Sequence, residues 1–249
     1  MKKIFALAAI ALFMVSCSDD DSNSTNQENA VLVKKMIDSS EDGVLTTVLT
    51  YDGNKITTSV TDDGSSTEYT YANGLLVKQE SFYNDTTFEK TTYQYNSNNK
   101  LESSVVFYYS VDADPYAVKS VYTYNSDTSI SAALYEGNEN SQTEFYGTRT
   151  ITLSNGNITK YSTLEEGATQ PIEYTMTYDA KNNPNKNVFA NDVMVLASLT
   201  GGNNNTLTES SNMLGSFTTT YEYTYNNNNY PTKLIMNEGG FISNIEYFY

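Results

Sequence analysis

From Val31 to the C-terminus, polar and apolar positions alternate with a period of two. A strand sends successive side chains to opposite faces, so this pattern predicts half-buried β-strands. The apolar partner is most often tyrosine. Tyr69-Thr70-Tyr71, Tyr93-Gln94-Tyr95, Tyr122-Thr123-Tyr124 and Tyr221-Glu222-Tyr223-Thr224-Tyr225 each place rings on one face and Thr, Gln or Glu on the other. Each run stops at a cluster of Asn, Asp or Gly and resumes with Leu or Ile, as in Ala72-Asn73-Gly74-Leu75 and Asp52-Gly53-Asn54-Lys55-Ile56. Asp52-Gly53, Asp63-Gly64, Asn73-Gly74, Asn155-Gly156 and Glu166-Gly167 supply the positive φ of tight hairpin turns. Successive copies lie roughly 20 to 29 residues apart, a period that signals a repeat architecture.

The count is about 15–16 strands between Val31 and Tyr249. Laid flat they would span on the order of 75 Å at about 4.8 Å per strand. Twisted open sheets rarely pass about 10 strands without curling. The prediction is an all-β fold: an antiparallel meander of repeated hairpins, strongly curled or barrel-like, with its Tyr and Leu/Ile face inward. The interval from Tyr178 to Tyr225 is about twice the usual one and marks an insertion at 185–215. There Asp192 is placed to cap a short helix, Val193–Leu199, with Gly201-Gly202 ending it. Val188, Phe189, Met194, Val195, Leu196 and Leu199 would plug one opening of the curled sheet. The alternative for this stretch is one more hairpin.

The N-terminus reads as an address. Lys2 and Lys3 precede an apolar run from Ile4 to Val15. That run is too short for a bilayer span, which needs about 20 residues, and suits a signal-peptide core. Met14-Val15-Ser16-Cys17 resembles a bacterial lipobox, with Met14 where Leu is more usual. The resemblance implies removal of residues 1–16 and acylation of Cys17, the lipid attachment site. Ser18-Asp19-Asp20-Asp21 resembles the surface-export signal of Bacteroidota lipoproteins. It implies an outer-membrane, lipid-anchored protein displayed on the cell surface, with the periplasmic face as the alternative. Residues 17–29 thus hold the lipidated Cys17 and an acidic tether, which as a coil reaches roughly 20 Å. Residues 30–249 form the repetitive β domain. Its Tyr-x-Tyr, turn, Leu/Ile unit resembles the YD repeats of RHS-type proteins, and with the lipobox the chain looks like the small YD-repeat-like lipoproteins of Bacteroidota. It departs from the YD pattern where Asn replaces the turn Gly, as at Asn98-Asn99 and Asn226 to Asn229.

Composition narrows the chemistry. There are 22 Tyr, 10 Phe and no Trp, so a core of rings must also provide for hydroxyls. The formal charge is −16, with 14 basic and 30 acidic residues; this repels nucleic-acid phosphates and anionic lipid headgroups. The absence of His excludes a Ser-His-Asp triad, a Cys-His pair and His-ligated metal. A lone Cys excludes an intramolecular disulfide. No catalytic residue, cofactor or metal site is assigned. The acids Asp62-Asp63, Asp112 and Asp114, Glu136 and Glu139, and Glu165-Glu166 fall mostly at turns, where backbone chemistry favours them. Asp112-Ala113-Asp114 has the spacing of some calcium loops but no full EF-hand pattern follows. Asp85-Thr86-Thr87 resembles the short O-glycosylation sequon of Bacteroidota, which points to Thr86. In the last strand Phe241, Ile245, Tyr247 and Tyr249 alternate as in membrane barrels, but most other strands offer Thr, Ser, Lys and Glu on their second face. The expectation is therefore a membrane-anchored, non-catalytic binding or scaffolding module whose partner is a glycan or a protein. The alternative is a carbohydrate-active enzyme or its accessory glycan-binding subunit, which two carboxyls held across a cleft would mark.

Overall fold

The computed structural model describes residues 30–41, 43–110, 113–213 and 217–249. The leader, Cys17, the acidic tether and Asp112 lie outside the described residues. The first half of the domain consists of β1 (Lys35–Ser40), β2 (Gly43–Asp52), β3 (Lys55–Thr61), β4 (Ser65–Ala72), β5 (Leu75–Tyr83), β6 (Thr86–Tyr95), β7 (Leu101–Ser110) and β8 (Ala113–Ser126). The second half consists of β9 (Ser129–Asn138), β10 (Gln142–Ser154), β11 (Asn157–Glu165), β12 (Ile172–Tyr178), β13 (Thr206–Ser211), β14 (Phe217–Tyr225), β15 (Pro231–Glu238) and β16 (Phe241–Phe248). One helix, α1 (Asn191–Ser198), lies between β12 and β13.

Every strand pairs antiparallel with its sequence neighbours, and β1 pairs with β16, so the sheet closes into a barrel. Closure removes both sheet edges. The seam aligns Met36 with Tyr247 and Asp38 with Ile245, and Ser243 Oγ donates to Asp38 Oδ1 at 2.6 Å. The expectation of a curled or barrel-like meander with a single helix is met.

The period-two pattern sorts the wall as predicted. Tyr93, Tyr122, Leu76, Leu134, Ile151, Ile158 and Leu234 are buried, while Thr50, Thr70, Gln94, Thr123, Thr177, Glu222 and Thr224 are exposed. Register agrees: Tyr69 faces Gln79 inside while Thr70 faces Lys78 outside. The outer face carries some apolar side chains, including Val48 opposite Val60 and Val105 beside Phe107. These are interspersed with Lys35, Lys78, Glu80, Lys90 and Lys160. A lipid-facing barrel surface instead presents a continuous apolar band.

The seven strand pairs joined at one end of the barrel share a feature that alternation alone does not reveal. Next to the turn, each ladder slips by one residue. In β4 and β5, for example, Thr70 faces Lys78 but Tyr71 faces Leu76, leaving Val77 unopposed. Such bulges bend the strand and raise its twist, and repeated around the wall they help to close it. A bulge also leaves backbone groups without a ladder partner, and tyrosine supplies one. Tyr95 donates to the Leu76 carbonyl at 2.7 Å, Tyr124 to Leu101 at 3.1 Å, Tyr178 to Ile158 at 2.6 Å and Tyr249 to Pro231 at 2.8 Å. The second ring of one hairpin thus satisfies the return strand of its neighbour.

The chain enters and leaves the barrel at this same bulged end. Leu32 and Val33 are buried against Leu49, Ile56 and Val188, and the Lys34 amide donates to the Phe248 carbonyl at 2.7 Å.

Candidate functional site

The segment 179–205, between β12 and β13, folds over the bulged end and fills it. Val195, Leu196 and Leu199 join the main core with Leu76, Leu101, Ile130 and Ile158. Val188 sits in the second core with Ile56, and Phe189 meets the Tyr71 ring at 6.0 Å. The predicted plug is therefore present, with two corrections. Thr206–Ser211 is a wall strand, so the irregular stretch runs earlier than 185–215. The helix also starts at Asn191, with Asp192 inside its first turn rather than capping it. Ala190, at φ 61°, precedes the helix with no side-chain cap. The docking of Val188 and the Phe189 amide, which donates to the Asn54 carbonyl at 2.9 Å, fixes the entry in place of a cap. At the far end Leu199, at φ 62°, closes the helix through a 2.8 Å bond to the Val195 carbonyl, and the glycines follow. Gly202 is needed for space as well as for its φ of +148°, because a Cβ there would meet Asn157 Oδ1 at 2.4 Å.

Asparagines latch the plug to the rim. Asn205 is 1% exposed. Its amide donates to Asp179 Oδ2 and to the Asn182 carbonyl, each at 3.1 Å. Tyr225 donates to the same Asp179 carboxylate. Asn203 reaches the Asn155 carbonyl at 2.9 Å, Asn187 the Val31 carbonyl at 3.0 Å, and Asn157 Asn204 Oδ1 at 2.9 Å. The Asn-rich turns read as loops in the sequence are thus the contact surface between plug and rim.

Below the plug the lumen stays open. One cavity of about 460 Å³ lies between α1 and the wall formed by Met176, Tyr178, Glu209, Tyr221, Tyr223 and Tyr247. Another of about 440 Å³ lies on the other side of α1, against Tyr69, Gln79, Glu89, Thr91, Tyr93 and Tyr108. Met194 and Ser198 of α1 border both. Among the described residues the opposite end carries turns but no comparable insertion, and Tyr108 and Tyr116 stand about half exposed there. The lumen is thus a cup: apolar at the plug, polar and aromatic toward the mouth.

Burial sets the ionisation of its groups. Desolvation pushes Tyr71, Tyr95, Tyr124, Tyr178 and Tyr221 up to about 12. Desolvation also raises Glu89 and Glu209 above the ordinary carboxylate range. Tyr161 and Tyr174 stack at 4.6 Å. Tyr116 donates to Glu136 Oε2, and Tyr146 to Glu165 Oε1, each at 2.6 Å.

The acids singled out in the sequence divide by place. Asp63 accepts the Ser65 amide at 2.8 Å within its turn, and Asp62 accepts the Thr46 amide of β2 at 2.9 Å, extending the β2–β3 pairing. Glu139 accepts from Tyr109 at 3.1 Å on the exterior. Glu166 and Asp114 are exposed. Of the described acids in that set, only Glu136 and Glu165 reach the lumenal side. Thr86 is exposed at the start of β6, directly after the Asn84-Asp85 turn. Sequence reading missed Arg149, although the alternation Arg149, Ile151, Leu153 put it on the inner face. Glu89 and Glu209, also inward, were visible in the same way.

No protein-family model matches the chain, and no curated protein matches it in sequence. Solved structures do match. A porin-like protein from Bacteroides vulgatus is 16% identical, with a TM-score of 0.60 over 88% of this chain and 99% of that one. A porin-like protein from Bacteroides uniformis is 13% identical, with a TM-score of 0.51 over 88% of this chain and 97% of that one. At such identity the likeness is one of fold: this chain is an all-β closed barrel similar to those of porin-like proteins.

Proposed function

We propose that this protein is a lipid-anchored, non-catalytic receptor of the outer membrane that holds a small ligand, such as a glycan, in the lumen of its barrel. The observation that carries the reading is the asymmetry of the interior: one end is filled by 179–205, while the other leads into tyrosine-lined cavities of about 440 and 460 Å³. Ligand sites are concave, lined by aromatic side chains and equipped with a few placed polar groups. A 16-stranded membrane barrel commonly encloses an aqueous channel; here the plug core blocks one. The exterior, mixed with Thr, Lys and Glu at outward positions, suits water, and attachment falls to acylated Cys17. Residue 30 leaves the wall at the plugged end. An anchor at Cys17, on the N-terminal side of residue 30, therefore places the plug toward the membrane and the mouth away from it. On the cell surface, which the Ser18-Asp19-Asp20-Asp21 run favours, the cup opens to the medium.

Two measurements test this. Palmitate labelling of expressing cells should mark the protein, and Cys17→Ala should abolish the label and release a protein soluble without detergent. A Cys17→Ala form that still partitions wholly with membranes and needs detergent would overturn the anchored-receptor reading in favour of a spanning barrel. A glycan array probed with the full-length protein should yield binders that Tyr161→Ala or Tyr221→Ala weakens. Binders indifferent to both lumenal substitutions would place recognition elsewhere.

A further inference from the structure

We propose that Arg149 anchors an anion subsite inside the barrel, and that the anion it takes is the carboxylate of a sugar acid. The inference rests on the lumenal-receptor reading and narrows it to a chemical class. Arg149 is the sole arginine of a chain with formal charge −16. Register sets it opposite buried Ala132 on β9 and Thr163 on β11. Its chain neighbours Thr148 and Thr150 are exposed, so Arg149 projects inward. Its Nε donates to Thr163 Oγ1 at 3.0 Å. Among the described residues it has no ion pair; the three present all belong to lysines.

This is an unusual placement for a cation. Charges removed from water are normally paired, and Glu136 and Glu165 share Tyr146 with Arg149 as a neighbour. Glu136 and Glu165 on the mouth side, however, already accept short bonds from Tyr116 and Tyr146. Among the described residues the guanidinium makes one hydrogen bond, from Nε to Thr163 Oγ1, and its terminal nitrogens have no protein acceptor. Tyr108, Tyr122, Tyr146 and Tyr161 surround the group closely enough to interact with it electrostatically. Such a planar fork is matched to a carboxylate that accepts two parallel bonds. A single cation matches the one charge of a carboxylate better than the two of a phosphate. The ring faces, with Tyr161 stacked on Tyr174, offer flat apolar surface to the body of a sugar.

Calorimetry on the full-length protein tests the inference, using glucuronate and galacturonate, as monosaccharides and short oligomers, against glucose and galactose. The sugar acids should bind about 10- to 100-fold more tightly than their neutral parents, the range expected for a hydrogen-bonded charge. Arg149→Gln should erase that preference, and Arg149→Lys should restore part of it without the two-bond geometry. Arg149→Gln removes an unpaired lumenal charge, so the barrel should fold, and far-ultraviolet dichroism verifies this. Equal binding of acid and neutral sugars, or sugar-acid binding unaltered by Arg149→Gln, overturns the subsite and leaves the receptor reading standing. If neither class of sugar binds here and no glycan binds on the array, both readings fall.

Discussion

Tyrosine does two jobs in this barrel, and the difference lies in the hydroxyl. Phenylalanine would fill the same volume and keep the same alternation. Yet Tyr95, Tyr124, Tyr178 and Tyr249 each reach a carbonyl next to a bulge. Tyr51 and Tyr71 bury hydroxyls that find no partner among the described residues. The two groups should respond oppositely to the same substitution. Tyr124→Phe leaves the Leu101 carbonyl unsatisfied and should cost about 1–3 kcal/mol. Tyr71→Phe removes a desolvated polar atom with no bond and should be neutral or stabilising. Denaturant midpoints of the two variants, compared with the parent, decide the matter. A comparable loss in both would mean that ring packing alone is at work.

At the scale of elements, α1 is the part whose existence depends most on its surroundings. Eight residues are too few for a helix to persist alone in water, and this one has no side-chain cap. Its stability comes from Val195 and Leu196 pressed into the wall, and from the asparagine latch around Asp179. Leu196→Ala should therefore cost about 2–5 kcal/mol, with the loss concentrated on the plug. Native-state hydrogen exchange should show 191–199 losing protection while β7 to β10 keep theirs. Uniform loss across the barrel would mean that plug and wall form one cooperative unit. Hairpin boundaries were legible at this scale because Asn-Gly and Asp-Gly turns tolerate positive φ. Asn73 and Gly74, for instance, adopt φ 51° and 75°. Helix boundaries were not legible, because tertiary docking of Val188 and Phe189 replaced the cap that Asp192 suggested.

For the whole molecule, shared burial of phenols makes the barrel sensitive to alkali. Tyrosine in an unfolded chain ionises near 10, whereas Tyr71, Tyr95, Tyr124, Tyr178 and Tyr221 are held up to about 12 by desolvation. Above the lower value the folded state binds more protons than the unfolded one, so stability falls as pH rises. The contribution of these groups is complete below pH 10 and is lost as pH climbs through 10 to 12. Glu89 and Glu209, also raised by desolvation, act with the same sign in a window that begins near the ordinary carboxylate value. Phenolate absorbance and far-ultraviolet dichroism followed together should show the lumenal tyrosines ionising only as the β signal collapses. Full ionisation near pH 10 with the β signal intact would contradict a buried ring lattice.

Alternation and turn chemistry by themselves determined the strand count, the antiparallel order and the inward face of the repeat tyrosines, because those properties follow from backbone geometry repeated every two residues. The plug was likewise foreshadowed by apolar residues in the longest interval between repeats. Only the tertiary structure decided that β1 meets β16, since closure depends on the bulges accumulated around the wall, and each of those is a register shift between two strands rather than a property of either. It alone decided that Arg149 stands inside without an ion pair among the described residues, bonded instead to Thr163, because which groups meet across the lumen depends on how the wall closes. A sequence states which charges exist, but burial and hydrogen bonding decide which of them remain free to meet a ligand.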